Sequence, residues 1–235
     1  MGEKTSGILT ENWTLADGTP APKLGLGTWF IDDDKAAEAV RVAVEISYRN
    51  IDTAQAYGNE RGVGEVIRSC GLDRDRVFVS SKLAAEVKDH DEAVASIDAT
   101  LDRMGLDHLG LILIHSPQPW DDFRGQGNYD EGNLAAWRAL EEARAAGKVR
   151  AIGVSNFQQH EPENILSNGT VPPAVNQVLA HVGNTPDELI AWCQERSILI
   201  EAYSPIAHGA ILEAEGVRRI ADRYHVSVPQ LCSAT

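Results

Sequence analysis

Four residues have the chemistry of proton transfer at a carbonyl. Asp52 closes the short run Asn50-Ile51-Asp52, and Tyr57 follows five residues later beside Gly58. Lys82 lies near the end of one apolar stretch, and His115 closes another, Leu111-Ile112-Leu113-Ile114-His115. A free phenol titrates near ~10; a buried ammonium beside it favours the phenolate and lowers that value, while a carboxylate keeps the ammonium charged and oriented. Tyr57 is therefore expected to be a usable proton donor beside Lys82 and Asp52. A neutral imidazole at His115, donating one hydrogen bond, would hold a carbonyl oxygen near that phenol as charge develops on it. The sequence has no metal-ligand cluster and no Ser-His pair on an elbow, so the reductant must come from a cofactor. A second chemistry is open to the same set, a barrel lyase with Lys82 as Schiff-base nucleophile. The company of Asp52 argues against it, because a neighbouring carboxylate keeps the lysine protonated.

Such a set acts only if the fold gathers it. Residues 1–23 read as a leader and a hairpin turning at Asp17-Gly18. Strands are predicted at 24–29, 50–52, 77–83, 109–115, 150–155, 174–178 and 198–203. Helices are predicted at 34–48, 60–70, 91–104, 131–146, from about Pro162 onward, and at 186–196. Residues 116–130 form a polar loop long enough to suspect function. No change of composition marks a linker, so 1–235 reads as one parallel α/β domain. No Gly-x-Gly-x-x-Gly opens the first helix, which disfavours a dinucleotide fold of the doubly wound kind. In a barrel the strand ends share one mouth, and polar residues recur at those ends: Thr28, Trp29, Asp52, Lys82, His115, Ser155, Asn156, Gln177, Tyr203 and Ser204.

The balance of 21 basic against 35 acidic side chains, a net charge of −14, disfavours nucleic acid as a partner. Cys70, Cys193 and Cys232 have no metal-ligand spacing and read as thiols in or near the core of a protein from a reducing compartment. No signal-peptide core and no run of eighteen apolar residues occurs, so the expectation is a cytoplasmic protein with no membrane partner.

The chain resembles the aldo-keto reductase family, of the 2,5-diketogluconate reductase-like kind. The motifs that carry the resemblance are Gly25-Leu26-Gly27-Thr28-Trp29, Asn50-Ile51-Asp52-Thr53-Ala54 with Tyr57-Gly58-Asn59-Glu60, Ser81-Lys82-Leu83 and Leu113-Ile114-His115. They continue in Gly147 to Phe157, Asn176-Gln177 and Ala202-Tyr203-Ser204-Pro205. The resemblance implies a (β/α)8 barrel of the TIM type with an N-terminal β-hairpin. It also implies NADPH bound across the mouth and reduction of an aldehyde or ketone by direct hydride transfer. By position it makes Tyr57 the general acid, Lys82 and Asp52 its tuning pair, and His115 the orienting group. Ser155, Asn156 and Gln177 would grip the nicotinamide carboxamide, Tyr203 would stack on the ring, and Thr28 and Asp52 would join the cofactor contacts. The backbone of Ser204, Pro205, Ile206 and Gly209 would follow the pyrophosphate, and Trp29 and Trp120 would wall the substrate pocket with Tyr57 and His115. No metal is implied.

One stretch departs from the family pattern. A helix beginning at Ser227 with Pro229 in its first turn has about one turn before Thr235. The expectation is therefore a truncated or frameshifted chain, lacking the eighth strand, the last helix, the C-terminal loop and the residues that read the adenosine 2′-phosphate. A monomer is expected if the barrel is complete, and association through open strand edges if it is not. A fragment that binds cofactor poorly is the competing expectation to an active enzyme.

Overall fold

The computed structural model describes residues 7–233. A short antiparallel hairpin comes first, β1 (Asn12–Thr14) and β2 (Pro20–Pro22), with Trp13 opposite Ala21. Its turn uses the left-handed Gly18 (φ 86°), as the Asp17-Gly18 signal requires. Seven strands follow: β3 (Gly25–Gly27), β4 (Asn50–Asp52), β5 (Phe78–Leu83), β6 (Leu109–Ile114), β7 (Val149–Ser155), β8 (Val175–Leu179) and β9 (Leu199–Tyr203). They form one parallel sheet in sequence order. Helices α1 (Asp33–Glu45), α2 (Glu60–Ser69), α3 (His90–Met104), α4 (Asp130–Ala145), α5 (His160–Asn168) and α6 (Asp187–Glu195) occupy the crossovers. After β9 come α7 (Glu215–Tyr224) and α8 (Val228–Ser233).

Side-chain alternation explains the layering. Val79, Ile112, Ile114, Ile152 and Val154 face outward into a core shared with Val40, Val63, Ile97 and Leu140 of the helices. Phe78, Leu111, Leu113, Ala151 and Val175 face inward, where Leu15 and Ala21 of the hairpin plug the base of the barrel. With that end filled, the strands' C-terminal ends form the open mouth. The sheet is strongly curled: Gln177 on β8 donates to Asp52 on β4 at 3.1 Å, across four strand steps.

Element bounds differ modestly from expectation. The first strand, expected over 24–29, has ladder pairing over Gly25–Gly27 only, and Thr28 and Trp29 already belong to the loop leaving it. The first helix ends at Glu45 rather than at 48, because Ser47 turns left-handed (φ 81°). Ser227 caps the last helix as expected: its Oγ accepts from the Gln230 amide at 3.3 Å, and Gln230 Oε1 accepts from the Ser227 amide at 2.8 Å, a capping box. The expected absence of an eighth strand concerns sequence beyond the described residues. Among the described residues β3 and β9 are the two ends of the sheet, each paired on one side. No described helix is long and apolar enough to cross a membrane.

Candidate active site

Lys82 is fully buried on the inward face of β5. Its ammonium donates to both oxygens of Asp52, at 2.7 and 2.6 Å, and to the Thr53 carbonyl at 3.0 Å. All three N–H bonds are thereby used, and the position of a charge that water cannot reach is set by the end of β4. Burial alone would lower the lysine pKa. Asp52, followed by Tyr57 and Glu201, outweighs it, so the net direction is upward and Lys82 stays charged.

Tyr57 sits in a single 3-10 turn, Gln55–Tyr57, ended by Gly58 in the left-handed region (φ 68°). Its ring lies 4.9 Å from the Lys82 nitrogen. Sequence reasoning expected the ammonium to lower the phenol pKa; Lys82 does pull it down, but it does not set the net direction. Burial raises it, Lys82 offsets only part of the rise, and Asp52 adds to it. Because Asp52 neutralises the lysine at two points, little of the cationic field remains to counter desolvation. Tyr57 is therefore a neutral phenol at physiological pH.

The turn is held by Asn59, a completely buried amide. Its Nδ2 donates to the carbonyls of Thr28 and Ile31 at 2.9 and 2.8 Å, and its Oδ1 accepts from the Thr53 hydroxyl at 2.6 Å. One side chain thus ties the loop after β3 to the loop after β4. Thr28 is buried too, its hydroxyl committed to the Asp52 carbonyl at 3.0 Å.

His115 follows β6 and is 6% exposed. Its ring meets Tyr57 edge-on at 5.6 Å and Trp120 at 4.9 Å. Burial, with the Lys82 charge second, pushes its pKa down to about 3, so it is neutral at physiological pH as expected. Its Nδ1 is buried with no hydrogen-bond partner among the described residues.

Beside these four, a belt of polar groups runs along the mouth. The Tyr203 hydroxyl donates to Asn156 Oδ1 at 2.8 Å, and Asn156 Nδ2 donates to the His115 carbonyl at 3.0 Å and to Ser155 Oγ at 3.1 Å. Ser155 Oγ donates to the Gln177 carbonyl at 3.0 Å. Asn156 is left-handed (φ 63°), which turns its amide back across the strand ends. The loop leaving β9 contains four left-handed residues, Ser204, Ala207, His208 and Gly209, and is wound tightly enough that the Ala207 and Gly209 amides donate back to the Ser204 and Ile206 carbonyls, both at 2.9 Å. Pro205 lies in that loop, and Ile206 packs with Ile211 and Val217 beneath it.

Above the chemistry stands an aromatic wall. Trp29 is half-exposed, 6.4 Å from the Tyr57 ring, and stacks on Phe30 at 4.2 Å, while the His208 ring meets Trp29 edge-on at 5.2 Å. Trp120 lies 5.3 Å from Phe123. Sequence reasoning named Trp29 and Trp120 but missed Phe30, Phe123 and His208, which carry no motif and are aromatic only by composition. It also missed Glu201, although a charged residue at an inward position of β9 was visible in the alternation Leu199-Ile200-Glu201-Ala202-Tyr203.

A family model described as Aldo/keto reductase family matches residues 23–227. The chain is 38% identical to the glyoxal reductase of Bacillus subtilis over 224 residues, covering 95% of this chain and 77% of that protein. It is 33% identical to the methylglyoxal reductase DkgA of Escherichia coli over 219 residues, covering 92% and 76%. Among solved structures, an aldo/keto reductase from Brucella melitensis superposes with a TM-score of 0.87 at 34% identity, covering 94% of this chain and 80% of that one. An aldo-keto reductase of Bombyx mori in complex with NADP superposes with a TM-score of 0.82 at 32% identity, covering 94% and 78%.

Proposed function

This chain belongs to the aldo/keto reductase family, and from that premise we propose that it is an NADPH-dependent carbonyl reductase with Tyr57 as the general acid. The observation that carries the reading is the convergence of Asp52, Tyr57, Lys82 and His115 from three strand ends onto one mouth. When bound, the nicotinamide supplies the hydride. The chain's own residues fit that group: the amides of Asn156 and Gln177 and the hydroxyl of Ser155 suit a carboxamide, and the half-buried Tyr203 ring suits stacking. The wound loop of Ser204 to Gly209 suits a pyrophosphate.

The substrate carbonyl oxygen would lie between the Tyr57 hydroxyl and His115. The neutral imidazole can donate a hydrogen bond to that oxygen without carrying charge. As negative charge develops on that oxygen, the Tyr57 proton moves to it, and Lys82 stabilises the phenolate left behind. Asp52 keeps Lys82 charged and fixed throughout. Trp29 and Trp120, whose rings lie beside Tyr57 and His115, would face the remainder of the substrate.

The names of the relatives suggest small reactive aldehydes, glyoxal and methylglyoxal, as the first substrates to try, with a nitrobenzaldehyde as a bulkier probe of the aromatic wall. Loss of NADPH absorbance with each aldehyde measures turnover. Tyr57→Phe should reduce kcat by about 10²-fold or more while the fold, by circular dichroism, stays unchanged. A variant as active as the wild type would remove Tyr57 from the reaction.

A further inference from the structure

Glu201 faces the same interior and has no part in the reaction as described. On β9, Ile200 packs outward with Trp192 of α6, whereas Leu199 joins the interior plug, so Glu201, two residues beyond Leu199, points into the barrel. It stands opposite Gln177 in the β8–β9 register. The Gln177 amide donates to Asp52 Oδ1 at 3.1 Å, and the same amide favours the ionised form of the Glu201 carboxyl beside it. The charged groups that face Glu201 are Asp52 from β4 and Lys82 from β5, with Gln177 the neutral group between. Lys82 is also the cation beside Tyr57, 4.9 Å from its ring, and the charge that acts on His115.

Two carboxylates and one ammonium thus share the interior, and the ammonium can balance only one of them. The geometry assigns it to Asp52, which takes two of its N–H bonds, and leaves Glu201 with an amide. Burial and the Asp52 charge, against the pull of Lys82, hold the Glu201 pKa up at about 7.

We propose that Glu201 is a positioning residue for the Tyr57 proton donor: its charge state, felt by the Asp52–Lys82 pair directly and through Gln177, sets how far Lys82 acidifies the phenol. The inference rests on Tyr57 being the acid. With Glu201 neutral, Asp52 alone opposes the ammonium, and the part of the Lys82 field that reaches the phenol is at its largest. With Glu201 ionised, a second negative charge opposes the ammonium, the phenol becomes a weaker acid, and proton transfer to the developing alkoxide slows. The proton that Glu201 loses goes to solvent, to which this half-buried residue has access. It is not the proton of the reaction: the one that Tyr57 gives to the alkoxide is replaced from solvent in each turnover.

The experiment compares wild type with Glu201→Gln, which mimics the neutral carboxyl. In glyoxal reduction with NADPH between pH ~5.5 and ~9, wild-type kcat should fall several-fold, roughly three- to ten-fold, through an inflection near the Glu201 titration, and Glu201→Gln should hold the low-pH rate. Two readouts need no turnover. Carboxyl carbon NMR should show one group titrating near neutrality in the wild type and missing from Glu201→Gln. Alkaline difference absorbance against the matching Tyr57→Phe proteins should show Tyr57 ionising at lower pH in Glu201→Gln. If both spectroscopic results appear in a protein that does not turn over, the reductase reading fails and the coupling stands. An unchanged kinetic inflection in Glu201→Gln, or a Tyr57 titration unmoved by it, overturns the proposal. Should Glu201→Gln not fold, a wild-type carboxyl spectrum with no group titrating near neutrality overturns it as well.

Discussion

His115 shows how burial tunes a single residue to its task. A protonated imidazole would still donate a hydrogen bond, but it would place a second cation beside Lys82 in a region with little water. Burial and that lysine therefore depress its pKa to about 3, well below that of the unfolded chain. The consequence for stability follows from linkage. Between pH ~6.5 and ~3 the unfolded state binds a proton that the native state refuses. The contribution is complete above the unfolded value and is lost as pH falls toward the folded one. Denaturant midpoints should accordingly decline through this window, by an amount on the order of a few kcal/mol, and His115→Phe should remove most of that decline. Equal acid sensitivity in the two proteins would mean that the imidazole is not held neutral. The same depressed pKa gives a kinetic corollary: any acid limb in turnover above pH ~5 belongs to another group.

Elements position these residues through loops rather than through the strands themselves. β4 contributes three paired residues, yet the two loops that follow β3 and β4 carry Trp29 and Tyr57, and Asn59 fastens them together. Asn59→Ala would leave the Ile31 carbonyl and the Thr53 hydroxyl without their Asn59 partner and the Thr28 carbonyl with the Ile31 N–H alone, a loss of about 2 to 4 kcal/mol. Because the released loop carries the proposed acid, Tyr57, kcat should fall more than KM rises, and Asn59→Asp, which keeps the acceptor but not the donors, should recover only part of either loss. A variant with lowered thermal stability and normal kcat would show that Asn59 serves the fold and not Tyr57. This brace also marks the limit of what the sequence disclosed. Helices with apolar residues three and four apart and strands closing on Asp52, Lys82 and His115 were legible, because alternation and periodicity are local. The cross-loop bonds of Asn59, the wall formed by Phe30 and His208, and the field that leaves the Tyr57 pKa high all depend on residues distant in sequence. They became visible only when the strands were placed side by side.

At the scale of the whole molecule, the residues proposed to hold the cofactor come from most of the sheet: Asp52 ends β4, Ser155 ends β7, Gln177 lies on β8 and Tyr203 ends β9. A ligand gripped by all of them cannot remain bound if the sheet separates anywhere between β4 and β9, so its binding energy stabilises the complete set of strands rather than one loop. By mass action, NADPH at a hundred times its Kd should add about 2.7 kcal/mol, which for a chain of this size raises Tm by roughly 5 to 10 °C. The unfolding transition should move as one step, because no strand of the set can melt with the ligand in place. Titration with NADH in parallel isolates the 2′-phosphate: equal shifts would show that the protein does not read that group, and a larger shift with NADPH would show that it does. Tyr203→Ala should shrink the shift for both cofactors alike, since it removes a surface for the nicotinamide ring that the two share. No shift with either cofactor at millimolar concentration would sink the cofactor assignment, and with it the source of reducing power on which the proposed activity depends.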